Sequence, residues 1–165
     1  QEASESIYPA EQWFARDSFR LALEGNDDFM GFLDIANEYG CTGAGNVAKA
    51  YAGLCYKKLG EYKEALSYLE DFDADDKMLS KAIVGAIGDC YWDMDDAKKA
   101  VSYYEKAIVD ENAVIAPIFG KRLAEAYLSM GENAKAEQVL EKLINQYPYA
   151  SNIQDLKKLL QVAKK

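Results

Sequence analysis

The chain has 165 residues, half of them hydrophobic, with 28 acidic residues against 19 basic ones for a formal net charge of −9, and it contains no histidine. That length and apolar fraction suit one ordered domain with a continuous core. The acidic balance excludes nucleic acid, whose binding relies on dense Lys and Arg, and makes repulsion from an anionic membrane surface the default. Without histidine there is no Cys/His nucleophile pair and no Cys/His zinc site within the chain, and no apolar run approaches the ~20 residues that span a bilayer.

Residues 9–24 carry Trp13, Phe14, Phe19, Leu21 and Leu23 and read as a first helix with Pro9 near its start. Gly25-Asn26 breaks it, and 28–39 places Phe29, Phe32, Leu33, Ile35, Ala36 and Tyr39 at helical spacing, completing a degenerate helix pair. Gly40-Cys41-Thr42-Gly43-Ala44-Gly45 is glycine-rich and leads into a helix. It lacks the GxGxxG order, a preceding strand and the Lys-Ser/Thr of a phosphate loop, so it reads as a flexible connection.

From residue 46 a pattern recurs three times: a small residue, Tyr three positions later, Ala nine positions after that. The triplets are Gly53/Tyr56/Ala65, Gly88/Tyr91/Ala100 and Ala124/Tyr127/Ala136. Helices packed at roughly 8–10 Å need small side chains at closest approach, which the Gly and Ala positions supply while Tyr fills the space beside them. The intervening turns run Leu59-Gly60-Glu61-Tyr62, Met94-Asp95-Asp96-Ala97 and Met130-Gly131-Glu132-Asn133. Gly60 and Gly131 occupy the place where a helix C-terminus favours a left-handed residue, and Asp95 takes it at a cost in the middle unit. After Pro148, Ser151 and Gln154 form a potential capping box. Ile153, Leu156, Leu160 and Ala163 then make one apolar stripe, a helix over 151–164 that covers the last unit. The expected fold is all-α, about nine helices and no strand.

The period of about 35 residues and these positions resemble the tetratricopeptide repeat, a helix–turn–helix unit of about 34 residues. The units run 46–72, 81–107 and 117–148, after the degenerate pair at 9–39, in a single domain over 1–165. Pro148 matches the closing proline of the last unit. Departures are Leu69, Tyr104 and Leu140 at position twenty-four, Phe72, Ala107 and Leu143 at position twenty-seven, and the absence of the consensus Trp at position four. The resemblance implies a right-handed superhelical array of antiparallel helix pairs that presents a long curved surface. A second likeness rests on Gly31-Phe32-Leu33-Asp34, Glu38-Tyr39-Gly40, Ala44-Gly45-Asn46 and Ala50-Tyr51-Ala52-Gly53. It is to membrane-tethered repeat proteins of Bacteroidetes-type bacteria, distantly similar to the ancillary subunit of the secretion translocon. It implies a place on the periplasmic side of the inner membrane, with the cytoplasm as the alternative. The chain opens on Gln1 rather than Met and so reads as a fragment, either processed or cloned, from which a signal or anchor could have been removed.

Cys41, Cys55 and Cys90 are odd in number and form no CxxC. Cys55 and Cys90 directly precede the core tyrosines and read as small buried residues, while Cys41 sits in the glycine-rich segment as the exposed thiol. Asp71-Phe72-Asp73-Ala74-Asp75-Asp76 looks superficially like a calcium loop. Its sixth position is Asp76 rather than Gly and its twelfth Ala82 rather than Glu, so the turn and the bidentate ligand are missing. It reads as an inter-repeat linker with an acidic N-cap, as do Asp93, Asp95 and Asp96. No cofactor, metal or catalytic residue is expected, and without a nucleophile–base pair the chain reads as no enzyme.

What the family resemblance leaves is a concave face lined by the first helix of each unit. Carried over, its positions are Val47, Ala50, Leu54, Lys57 and Lys58, then Ala82, Gly85, Asp89, Trp92 and Asp93, then Ile118, Lys121, Glu125, Leu128 and Ser129. Trp13, Asp17 and Arg20 are the equivalents in the degenerate pair. Partner binding is assigned to Leu54, Lys57, Lys58, Asp89, Trp92, Asp93, Lys121, Arg122, Glu125 and Leu128. Trp92 is read as the anchor, since aromatics near the centre of a groove are common hot spots, with packing on a neighbouring helix as the alternative. The clamp that grips acidic chaperone tails in this family needs Lys, Asn, Asn, Lys and Arg where this chain has Ala50, Leu54, Ala86, Ile118 and Arg122. Only Arg122 matches. The expected ligand is therefore a protein or peptide of mixed charge with apolar anchors, and self-assembly into a homodimer through apolar patches is the alternative.

Overall fold

The computed structural model describes residues 2–72 and 77–165. They form two compact units, Gln1–Asp75 and Asp76–Lys165. The first contains α1 (Glu2–Ser6), α2 (Tyr8–Ala15), α3 (Phe19–Glu24), β1 (Gly25–Asn26), β2 (Phe29–Met30), α4 (Phe32–Glu38), α5 (Gly43–Lys58) and α6 (Tyr62–Glu70). The second contains α7 (Lys77–Asp93), α8 (Ala97–Ile108), α9 (Ile115–Ser129), α10 (Asn133–Gln146) and α11 (Ile153–Ala163).

The N-terminal segment departs from the expected helix over 9–24 and its partner over 28–39. Pro9 does start a helix, but the chain breaks at Arg16-Asp17-Ser18, where Asp17 takes φ +59° and the Trp13 carbonyl accepts from both Arg16 and Ser18. The cause is aromatic packing. In one straight helix Phe14 and Phe19 would point about 140° apart. With the break, Phe19 meets Phe14 edge-on at 5.3 Å, and Phe14 also packs on Phe32 and Tyr51. Phe32 and Tyr51 stack at 4.6 Å. Residues 25–30 then form a two-residue antiparallel hairpin, β1 against β2, with the Asn26 carboxamide accepting from Asp28 and Phe29. The expectation of no strand is corrected by this hairpin, and the helix count rises from nine to eleven among the described residues.

The glycine-rich segment is a built helix start rather than a loose connection. Thr42 caps α5 by accepting from the Gly45 amide at 3.1 Å. Gly45 lies against the preceding chain so closely that a Cβ there would sit 1.8 Å from the Tyr39 carbonyl oxygen.

The three repeats pair as their spacing requires: α5 with α6, α7 with α8, α9 with α10. Ala65, Ala100 and Ala136 are fully buried. Gly53 lies under Leu69, and Gly88 under Tyr104. Gly60, Asp95 and Gly131 all adopt positive φ, +78°, +61° and +74°, so the three turns share one left-handed geometry although the middle one lacks glycine. Asp96 caps α8 by accepting from the Lys99 amide. Of the acidic run at 71–76, residues 73–76 lie outside the described residues, and so does the expected cap on α7.

At the C-terminus the expected capping box is replaced. Residues 149–152 turn, α11 begins at Ile153, and Asn152 donates through Nδ2 to the Pro117 carbonyl at 2.8 Å. That bond ties the start of α11 to α9. Leu156 and Ala163 of the apolar stripe are buried in the core of the second unit. Among the described residues no helix is long and apolar enough to cross a membrane.

Candidate protein-binding face on α7 and α9

In the second unit the expected binding positions fall on α7 and α9. These helices meet at Gly85, where a Cβ would stand 2.3–2.4 Å from ring carbons of Phe119. The absent side chain lets the Phe119 ring lie flat over the α7 backbone. One turn further along α7 comes Asp89, and then Trp92 and Asp93, all on the stripe that repeats every three to four residues.

Asp89 is the one buried charged residue among those described. Its Oδ1 accepts from the Tyr104 hydroxyl at 2.7 Å, and its Oδ2 meets Arg122 Nη1 of α9 at 2.5 Å. A buried carboxylate is tolerable only when its oxygens are paired, and both are. The Arg122 guanidinium also covers the Phe119 ring at 5.0 Å, and Phe119 in turn stacks on Tyr104 at 6.1 Å. Burial, and then the Asp89 carboxylate, push the Tyr104 phenol far above its ordinary pKa, so it remains a donor.

Around this centre the face is mixed in charge. Lys121 pairs with Glu125 one turn on, at 3.4 Å. Trp92 keeps 37% of its surface exposed and lines a hollow of about 420 Å³ with Asp93, Asp95, Ala97 and Ser129. Leu128 is half-buried and packs on the core of the unit, and Ile118 is exposed. The structure thus brings Asp89 to Arg122 and Lys121 to Glu125, and places Trp92 and Asp93 on one rim with Ser129.

The remaining assigned residues belong to the first unit, on α5. Leu54 and Lys57 are half-buried and Lys58 exposed, while Ala50, expected to line the face, is buried in the core. Gly85 is buried under Phe119 and presents no side chain. In the N-terminal pair, Trp13 stacks on Phe29 at 6.5 Å and carries Arg16 over its ring at 5.3 Å. Arg20 pairs with Glu61 at 2.7 Å.

Sequence reasoning missed Tyr104. The signal was present in the departure at position twenty-four, where the neighbouring units have Leu69 and Leu140. A tyrosine in a leucine position carries a hydroxyl that must find an acceptor when buried. On the paired helix that acceptor is Asp89, so a residue assigned to partner contact has a structural bond as well.

Cys55 and Cys90 are buried and Cys41 is exposed, as their positions imply. Burial lifts the Cys55 thiol to about 12. Among the described residues no group of three or more His, Cys, Asp and Glu could hold a metal ion.

Two family models, both described as tetratricopeptide repeat, match residues 51–75 and 91–160. No curated protein matches the chain. Among solved structures, one of MamA protein is similar over 98% of this chain and 86% of its own, at TM-score 0.70 and 20% identity. A second MamA structure matches 94% of this chain and 92% of its own, at TM-score 0.66 and 19% identity. Kinesin light chain nearly identical TPR-like repeats from Podosopora anserina match 99% and 93%, at TM-score 0.67 and 14% identity. At such identities the likeness is one of fold. With two repeat models together covering more than half of its length and paired helices that match solved repeat arrays, the chain belongs to the tetratricopeptide repeat family.

Proposed function

We propose that the protein is a non-catalytic scaffold that holds a polypeptide partner on the first helices of its repeats, with Trp92 as the anchor. A tetratricopeptide array is in general a protein-interaction fold, and the observation that supports this placement is the α7–α9 face itself. It carries a large, part-exposed aromatic over a hollow, beside charges that are already paired within the protein. Such a face attracts a partner by apolar burial, about 1.5–3 kcal/mol for each buried anchor. Its internal ion pairs favour a segment of mixed charge. The matching positions of the first unit are Leu54, Lys57 and Lys58.

An acidic chaperone tail does not suit this face, because Arg122, the one clamp residue present, is engaged by Asp89. Tethering at the periplasmic side of an inner membrane is part of the same reading and rests on the likeness of residues 31–53. Fractionation of source cells, with protease added to spheroplasts, checks it: a chain protected from protease sinks the periplasmic placement.

The test is selection of binding peptides from a display library against the immobilised chain, followed by calorimetry with Trp92→Ala. The expected result is affinity at least about tenfold weaker with an unchanged melting temperature. Opposing charges offset long-range steering, so raising salt from roughly 50 to 300 mM should change affinity by no more than about threefold. A variant that unfolds while keeping its affinity would make Trp92 a core residue and overturn the assignment. Self-association, seen as a mass that rises with concentration in light scattering and falls in Trp92→Ala, would favour the homodimer instead.

A further inference from the structure

The second unit has another hollow that shares no residue with the α7–α9 face. It has a volume of about 240 Å³ between α8, α9 and α10, walled by Ile108, Leu123, Tyr127, Val139 and Leu143. An apolar cavity of roughly 150 Å³ already holds benzene, so this one has room for a single aromatic or branched aliphatic side chain. A second hollow, of about 270 Å³, adjoins it through the shared residues Gln146 and Tyr147 and runs past Pro148 to Tyr149. Tyr147, the divider, is held in place by its hydroxyl, which donates to the Glu111 carbonyl at 2.6 Å. Tyr149, at the far end, is 97% exposed.

The charges at the first hollow do not cancel. Glu111 and Lys142 pair at 3.3 Å, and hydrogen bonds from Lys142 and Gln146 hold the Glu111 carboxyl below its ordinary pKa. Lys135, which stands over the Tyr127 ring, is paired with Glu132 at 2.8 Å. Glu105 accepts the Tyr127 hydroxyl through one oxygen. That bond is neutral on its donor side, and Lys135, the cation that also acts on Glu105, is shared with Glu132. Glu105, Glu111 and Glu132 thus face two lysines, Lys135 and Lys142, and one negative charge is left over at the edge of an apolar cavity.

We infer that this groove is a second docking site, which takes a peptide segment carrying a bulky apolar side chain followed by Lys or Arg. The apolar side chain fills the hollow between α8, α9 and α10, and the cation reaches Glu105. A pocket lined mainly by aliphatic and aromatic groups with one convergent charge orients its ligand in this way, and a chain with a net charge of −9 favours a basic segment.

Methyl-resolved NMR of the whole chain tests it with three probes: Ac-Phe-Arg-NH2, Ac-Phe-Glu-NH2 and Ac-Ala-Arg-NH2. Ac-Phe-Arg-NH2 should shift the Leu123, Val139 and Leu143 methyls saturably. Ac-Phe-Glu-NH2 should bind at least about threefold more weakly, and Ac-Ala-Arg-NH2 should leave those methyls unmoved. Glu105→Gln keeps an acceptor for Tyr127 and should abolish the preference for Arg over Glu. Lys142→Ala, which adds Glu111 to the imbalance, should increase that preference, and it serves as the test should Glu105→Gln fail to fold. Equal binding of the two Phe peptides, or shifts confined to the Trp92 indole and its neighbours, overturns the inference. So does movement of the same methyls with protein concentration alone, which would make a second copy the occupant.

Discussion

The Tyr104 hydroxyl and Asp89 Oδ1 lie 2.7 Å apart, joining α8 to α7 through a hydrogen bond that is buried at both ends. Because neither group can turn to water, the pair is worth more when broken than when made. Asp89→Ala should lower stability to urea by about 1–3 kcal/mol, since it strands a buried phenol. In Tyr104→Phe the carboxylate keeps Arg122, and the cost should be smaller. A double-mutant cycle on the two should give a coupling of at least about 0.5 kcal/mol. Additive losses would mean that the bond does not exist in solution.

Two glycines two residues apart should respond in opposite ways to alanine. At Gly43, the first residue of α5, an added Cβ meets nothing within 4 Å. Gly43→Ala should be neutral or stabilise by up to about 1 kcal/mol. At Gly45 the same methyl strikes the Tyr39 carbonyl, which is backbone and cannot rotate away. Gly45→Ala should cost about 1–3 kcal/mol or more, as an overpacked site does. Equal melting temperatures for the two variants would show that residues 39–45 are not packed as described.

Asp95→Gly should stabilise the middle repeat. Its φ of +61° matches those of Gly60 and Gly131, and a side chain in that region costs roughly 1–2 kcal/mol, less for Asp than for most residues. The extra unfolded-state freedom of glycine takes back part of the gain, so about 0.5 kcal/mol is expected in denaturant titration. A loss of stability would mean that the Asp95 side chain makes a bond worth more than the strain.

The thiols give a pH prediction with a definite sign. The Cys55 pKa is raised from 9.0 to about 12 by burial. Above pH 9 the unfolded chain therefore sheds a proton that the folded one keeps. The associated stability is fully present below pH 9 and declines by up to about 1.4 kcal/mol per pH unit as pH rises towards 12. Tyr104 and Tyr127, also raised by burial, add to the decline above pH 10. Urea melts at pH 7, 9 and 10 should show this slope, reduced by about one proton in Cys55→Ala. At neutral pH, Cys41 should react with a thiol reagent on the order of 10²-fold faster than Cys55 or Cys90. Three equally reactive thiols would contradict the burial.

Much of this was legible in the chain because a repeat restates its own rules. Ala65, Ala100 and Ala136 mark closest approach in three places, and the turn residues Gly60, Asp95 and Gly131 fall 35 and 36 residues apart, so agreement among copies replaces tertiary information. The N-terminal pair has no second copy to check against. There Phe14 and Phe19 satisfied a helical period on paper. Their clustering with Phe32 and Tyr51 instead breaks the helix at Asp17, an outcome that depends on residues more than thirty positions apart. Spacing also could not separate a face from a core. Ala50 and Gly85 sit at surface positions of the pattern, yet they are covered by packing that only the folded chain creates.

The sequence by itself determined the helix pairs, the turns between them, the buried cysteines and the absence of histidine chemistry, all of which follow from local spacing and residue type. Only the tertiary structure decided that Asp89 is held by Tyr104 and Arg122, that Gly45 fits against Tyr39, and that α8, α9 and α10 leave a hollow beside Glu105. Those depend on where side chains from separate helices converge, and a one-dimensional period records which face a residue takes but not what stands opposite it.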